Sequence, residues 1–250
     1  MLDKTKYFLK ISIFFNLIFL MAFSFWLFKK INHSLARTIN TTPQQHQTQT
    51  PRRNAYQTNY YYSKMEEFKN LPTSKDDIIL LGDSLTDQGE WHELLKNINV
   101  KNRGISGDTT DGVLNRLDQI IAGQPKIFFI LIGANDFWWE KKSIAELLQN
   151  YKLILDTLKQ KAPNTKVYVQ SLLPVNNTNF DVALDNSTLS EFNQQLEQLV
   201  KDYPYQYINL YPHFLNKENQ LSLQYTTDGV HLSVFGYLVW KNQIEKYINE

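Results

Sequence analysis

Four short clusters hold the residue types that acyl chemistry at a serine requires. Ser84 stands in Gly82-Asp83-Ser84-Leu85, Gly107 in Ile105-Ser106-Gly107-Asp108-Thr109, and Asn135 in Gly133-Ala134-Asn135-Asp136. Asp228 lies three residues before His231. A serine hydroxyl is a weak nucleophile until a neighbouring base takes its proton. Histidine titrates near neutral pH, which makes His231 the candidate base. Asp228 would hold the imidazole in one tautomer and stabilise the imidazolium without being protonated itself. Three-residue spacing lets both side chains share one face of a turn. Negative charge that develops on a carbonyl oxygen needs donors aimed at it. The backbone N–H of Ser84, the N–H of Gly107 and the side-chain amide of Asn135 can supply them, whereas an aspartate at 135 could not donate. Gly107 has no side chain to keep a substrate away from its amide, and Gly104 is the second candidate for that donor. Asp228 and His231 alone do not make a metal site, so neither a metal nor a cofactor is expected.

Each cluster taken singly reads as a turn or a helix cap. Their placement among the secondary elements makes the case. Short apolar runs at 78–81, 100–103, 127–132, 167–170 and 207–210 read as buried strands. Helical periods lie around 91–96, 110–121, 144–161, 189–203 and 234–248. Leu147, Tyr151, Ile154, Leu155 and Leu158 recur at helical spacing, and Asp108 and Thr109 are placed to cap the 110–121 helix. Strands alternating with helices imply parallel pairing through right-handed crossovers. The expected fold is α/β, a three-layer α/β/α sandwich around a five-stranded parallel sheet. Ser84, Gly107 and Asn135 each follow a strand, and ligands of open parallel sheets bind beyond those carboxyl ends. In the order 2-1-3-4-5, the reversal falls between the first and third strands, flanked by Ser84 and Asn135.

With these residues in this order, the chain resembles the SGNH superfamily of esterases and lipases, the GDSL hydrolases, over about residues 75–248. All four landmarks of the family (Ser, Gly, Asn, His) stand in sequence at Ser84, Gly107, Asn135 and His231. The resemblance implies a flavodoxin-like fold, ester hydrolysis without a metal, and a shallow, adaptable site. The expected catalytic set is Ser84, Asp228 and His231, with an oxyanion hole from Ser84, Gly107 and Asn135. The substrate would be a small-molecule, lipid or carbohydrate ester. Acyl transfer to an alcohol would use the same residues, and a non-catalytic binding module could share the fold. The intact residue set argues against the binding module.

Other polar residues near the landmarks read as structural. Asp83, Asp87, Asp108 and Asp136 are expected to tie their loops to backbone N–H groups, and His92 and His213 stand outside any constellation. Phe137, Trp138 and Trp139 carry two readings, packing under the next helix or lining the substrate pocket, with Trp138 and Trp139 the pocket candidates. The polar loop 176–187 is expected to shape that pocket.

Composition limits the partners. The chain has 250 residues, 26 basic against 25 acidic, and no cysteine. It carries no basic excess for nucleic acid, and thiol chemistry is excluded. Residues 11–28 contain no charge, and as a helix they would span about 27 Å, close to a bilayer's hydrocarbon thickness. Residues 1–30 therefore read as a membrane anchor, with a cleaved signal peptide as the alternative. Residues 31–64 read as a polar linker and 65–250 as the catalytic domain. The expectation is a single-pass, membrane-anchored chain with the catalytic domain on the extracytoplasmic side, or a secreted one if the segment is cleaved. Lysines at both ends leave the positive-inside count nearly balanced.

Overall fold

The computed structural model describes residues 54–248. The expected membrane segment and most of the linker lie outside the described residues. Among the described residues, no helix is long and apolar enough to cross a membrane.

The described chain begins with α1 (Asn59–Asn70), followed by β1 (Ile78–Gly82), the one-turn α2 (Ser84–Asp87) and α3 (Trp91–Leu95). Then come β2 (Val100–Gly104), α4 (Thr110–Ile121), β3 (Ile127–Leu131), the short α5 (Ala134–Trp138) and α6 (Ile144–Lys161). The chain ends with β4 (Lys166–Gln170), α7 (Asn186–Val200), β5 (Gln206–Ile208) and α8 (Val234–Ile244). All strand pairs are parallel, in the order β2-β1-β3-β4-β5. This is the doubly wound order in which the reversal falls between β1 and β3. β1 and β3 are buried at every position, as strands covered on both faces must be. α4 packs on α6 and α6 on α7, with Leu147, Tyr151, Ile154, Leu155 and Leu158 fully buried between helix and sheet. α3 and α8 form the other layer, where the Trp91 and Trp240 rings meet edge-on at 4.7 Å.

Three details differ from the sequence expectations. Residues 59–64 are not linker: α1 starts at Asn59, capped by the Thr58 side chain, and Tyr56 and Tyr61 are buried. The Tyr61 hydroxyl donates to the Gly112 carbonyl at 2.7 Å, so the folded unit begins about ten residues earlier than 65. Thr109 caps α4, while Asp108 turns inward to Arg116. The last strand covers only three residues, because Leu210 already enters the 3₁₀ turn Tyr211–Phe214.

Candidate active site

β1 ends at Gly82, and the Asp83 side chain caps the next turn by accepting from the Leu85 amide at 3.0 Å. That cap sets Ser84 at the first position of α2, at the carboxyl edge of the sheet. From the far end of the sequence, the loop before α8 delivers His231. Its Nε2 lies 3.0 Å from Ser84 Oγ, and its Nδ1 lies 2.7 Å from Asp228 Oδ2. Asp228 Oδ1 accepts from the amides of Val230 at 3.0 Å and His231 at 2.7 Å. Burial works against charge on Asp228, but hydrogen bonds from the His231 ring and these two amides outweigh it and hold its carboxyl below the usual range. An ionised carboxylate only accepts, so Nδ1 carries the proton and Nε2 is left to take the serine's. Thr226 closes the loop, donating its hydroxyl to the His231 carbonyl at 2.8 Å and accepting from Gly229 N–H at 2.8 Å. Nothing in the sequence marked Thr226.

Gly107 has φ +82°, and a side chain there would meet nothing within 4 Å, so it opens on free space. Among the described residues, neither the Ser84 nor the Gly107 amide has an acceptor. Gly104 drops out as a donor because its N–H is held by Asn102 Oδ1 at 2.8 Å. Asn135 gives one amide hydrogen to the Asp108 carbonyl at 2.9 Å, which leaves the other free. Ser84, Gly107, Asn135 and His231 line one cavity of about 340 Å³ with Trp138 and Trp139. The two readings of the aromatic triplet divide by residue. Phe137 packs edge-on against Phe192 in the core at 5.5 Å, whereas Trp138 and Trp139 stack at 5.3 Å on the cavity wall. The loop 176–187 does not line this cavity. Asn176 instead donates its backbone N–H to the Gly229 carbonyl at 2.8 Å and supports the Asp228–His231 loop from behind.

Arg116 is a second residue, after Thr226, that sequence reasoning missed. Both its side chain and that of Asp108 are fully buried, and Nε meets Asp108 Oδ2 at 2.8 Å. Nη2 donates to the Gly82 carbonyl at 3.2 Å. One guanidinium thus joins the strand end before Ser84 to the residue after Gly107, whose carbonyl orients Asn135. A lone arginine in an amphipathic helix gives no sign of such burial. Asp136 anchors the Asn135 loop by accepting from the Thr110 amide at 3.0 Å and from Lys142 at 2.7 Å. The four aspartates are structural, with longer reach than local turns: Asp87 accepts from the Ser106 hydroxyl at 2.6 Å.

Burial pushes the Asp83 carboxyl up to about 7, opposed by the Leu85 amide and reinforced by the charges of Asp108 and Asp136. Burial raises Asp108 to about 6, with Arg116 opposing. An acid whose folded pKa is raised contributes stability that is complete below its unfolded pKa and lost as pH rises through the folded one. Stability should therefore fall as pH rises from about 4 to about 7. Asp83→Asn, which keeps an oxygen for the Leu85 amide, should flatten part of that slope, the shares of Asp108 and of Asp136, whose carboxyl burial also raises, remaining. Urea midpoints across this range test it, and an unchanged slope in the variant refutes the assignment.

The model of the GDSL-like lipase/acylhydrolase family matches residues 80–239. The chain belongs to that family. As a member it is a carboxylic ester hydrolase, and the resemblance carried by its four motifs holds. It is 29% identical over 178 residues to the platelet-activating factor acetylhydrolase IB subunit alpha1 of Rattus norvegicus, covering 66% of this chain and 72% of that one. It is 27% identical over 192 residues to the N-acylneuraminate cytidylyltransferase of Escherichia coli, covering 75% of this chain but only 44% of the other. A solved structure from Streptococcus pneumonia, named for platelet activating factor, superposes with a TM-score of 0.69 at 27% identity, covering 75% of this chain and 91% of that one.

Proposed function

We propose that this esterase cleaves short-chain carboxylic esters through Ser84, His231 and Asp228. The observation that carries the reading is the continuous relay from Ser84 Oγ to His231 Nε2 at 3.0 Å and from Nδ1 to Asp228 at 2.7 Å. His231 takes the serine proton as Oγ bonds to the ester carbon, and the carbonyl electrons move onto oxygen. The amides of Ser84 and Gly107 and the free Asn135 hydrogen receive that charge. Collapse breaks the bond to the alcohol, which leaves with the proton from His231, and water then repeats the sequence on the acyl-enzyme. Asp228 stays ionised throughout, offsetting the imidazolium.

A volume of about 340 Å³ is near the lower end for ligand sites, which favours a small acyl group against Trp138 and Trp139. The acetylhydrolase relative is named for an acetyl ester, in keeping with that size. In the same reading, residues 11–28 anchor the chain as a single pass, with the catalytic domain on the extracytoplasmic side.

The test is a series of p-nitrophenyl esters of graded length beside acetylated sugars, with a fluorophosphonate probe. Turnover should peak at two to four carbons, a range on the order of what such a volume admits, and the probe should label Ser84. A label on another residue sinks the nucleophile, and a peak at long chains sinks the size argument.

A further inference from the structure

Large apolar side chains are left in water on segments that adjoin the cavity lining. α8 is apolar on both faces over its first five residues, before Lys241, Asn242 and Gln243 make its second half polar. Gly236, Tyr237, Trp240 and Ile244 are buried, while Val234, Phe235 and Leu238 are exposed. A surface helix normally turns a polar stripe to solvent, so this outward face needs a partner. It begins three residues after His231, which lines the cavity. Exposed Leu223 adjoins it, since its neighbour Gln224 accepts from the Ser233 hydroxyl that caps α8. Trp139 forms the cavity wall and is 62% exposed. Exposed Tyr60 donates to the Asp87 carboxylate, which also holds Ser106 of the cavity lining. Of the ten exposed large hydrophobic residues among those described, Trp139 lines the cavity and five more lie on segments joined to its lining by short stretches of chain or by these hydrogen bonds.

The chain also enters the domain on this side. The Ala55 amide donates to Glu140 Oε1 at 3.1 Å, and Glu140 directly follows Trp139. From Phe28, the last residue of the uncharged segment, 25 residues lead to Asn54, a reach of at most about 90 Å. A bilayer holding that segment would lie within reach of the mouth. Tyrosine and tryptophan favour the headgroup level, and leucine, valine and phenylalanine the layer beneath.

We infer that the rim formed by Tyr60, Trp139, Leu223, Val234, Phe235 and Leu238 docks on a lipid bilayer, so that the substrate is an ester carried by a membrane lipid. The docked mouth takes such an ester from the bilayer without passing it through water. A second copy of the chain is the competing occupant, but the entry of the chain beside Trp139 favours the membrane.

The inference rests on the proposed membrane segment and on Ser84 as nucleophile, and one preparation separates the three. The absence of cysteine allows a single environment-sensitive fluorophore on Phe235→Cys in the full chain. Lys75→Cys, before β1 at the opposite edge of the sheet, serves as the control. In phosphatidylcholine vesicles the 235 label should shift to the blue and be quenched several-fold by lipids spin-labelled on the acyl chain, while the 75 label stays unquenched. A blue shift without lipid quenching identifies a second copy and overturns the docking. A chain that floats with the vesicles but keeps a water-exposed 235 label overturns the docking alone. A chain that does not float overturns both the docking and the membrane segment. Turnover of p-nitrophenyl acetate in the same sample reports on Ser84 independently of all of these.

Discussion

Replacing His231 with alanine should lower kcat on a soluble p-nitrophenyl ester by about 10⁴-fold or more, with KM changed little. Nε2 is the only base at hydrogen-bond distance from Ser84 Oγ among the described residues, and without it the hydroxyl keeps its proton. Ser84→Ala should remove turnover to a comparable floor, because serine and base act as one unit and either loss disables both. Combining the two should add little. Asp228→Asn should fall between, about 10² to 10³-fold. Its Oδ1 already accepts two backbone amides, so the asparagine keeps its place while losing the charge that supports the imidazolium. Thermal midpoints of Ser84→Ala and Asp228→Asn should stay within a few degrees of wild type, since both side chains are partly exposed. Activity in His231→Ala near the wild-type level would end the assignment, and a collapse in folding would be seen separately by calorimetry.

The parts of the fold and site legible in the sequence are those that one short stretch of chain specifies. Ile78 to Leu81 and Ile127 to Leu131 are continuous apolar runs because both faces of their strands are covered, and such runs stand out by composition. Ser84, Gly107 and Asn135 follow strands, so the sheet order alone brings them to one edge. Asp228 and His231 are legible by spacing. The missed features depend on distant contacts. α1 carries no Leu, Ile, Val or Ala, and its place is decided by Tyr61 bonding to Gly112 and by Arg103 lying over the Phe68 ring at 4.7 Å, which no local window contains. α2 and α5 have four and five residues, too few to display a helical period. The loop 176–187 reads as pocket-forming from its polarity, yet Asn176 is fully buried, its polar atoms used by the backbone of the Asp228–His231 loop and by Leu221.

Asn135→Ala should lower kcat and kcat/KM together by about 10² to 10³-fold, about 2.7–4 kcal/mol of transition-state stabilisation. Its free amide hydrogen is engaged only when charge appears on the substrate oxygen, so ground-state binding should be nearly unchanged. The lever that holds it in place can be tested apart from it. Asn135 is oriented by the Asp108 carbonyl, and Asp108 is gripped by Arg116, which also holds Gly82. Arg116→Lys keeps the buried charge, so that Asp108 is not left unpaired, but one ammonium cannot reproduce the planar fork that reaches both loops. It should cost about 10-fold in kcat at constant KM, roughly the price of a small misplacement of catalytic groups. In the double variant with Asn135→Ala, the losses should combine to less than their product, because part of what Arg116 supplies is the position of a side chain already removed. Full additivity would mean that Arg116 acts on fold stability or on Ser84 alone. If Asn135→Ala instead raised KM and left kcat intact, Asn135 would bind substrate in its ground state, and the oxyanion hole would reduce to the amides of Ser84 and Gly107.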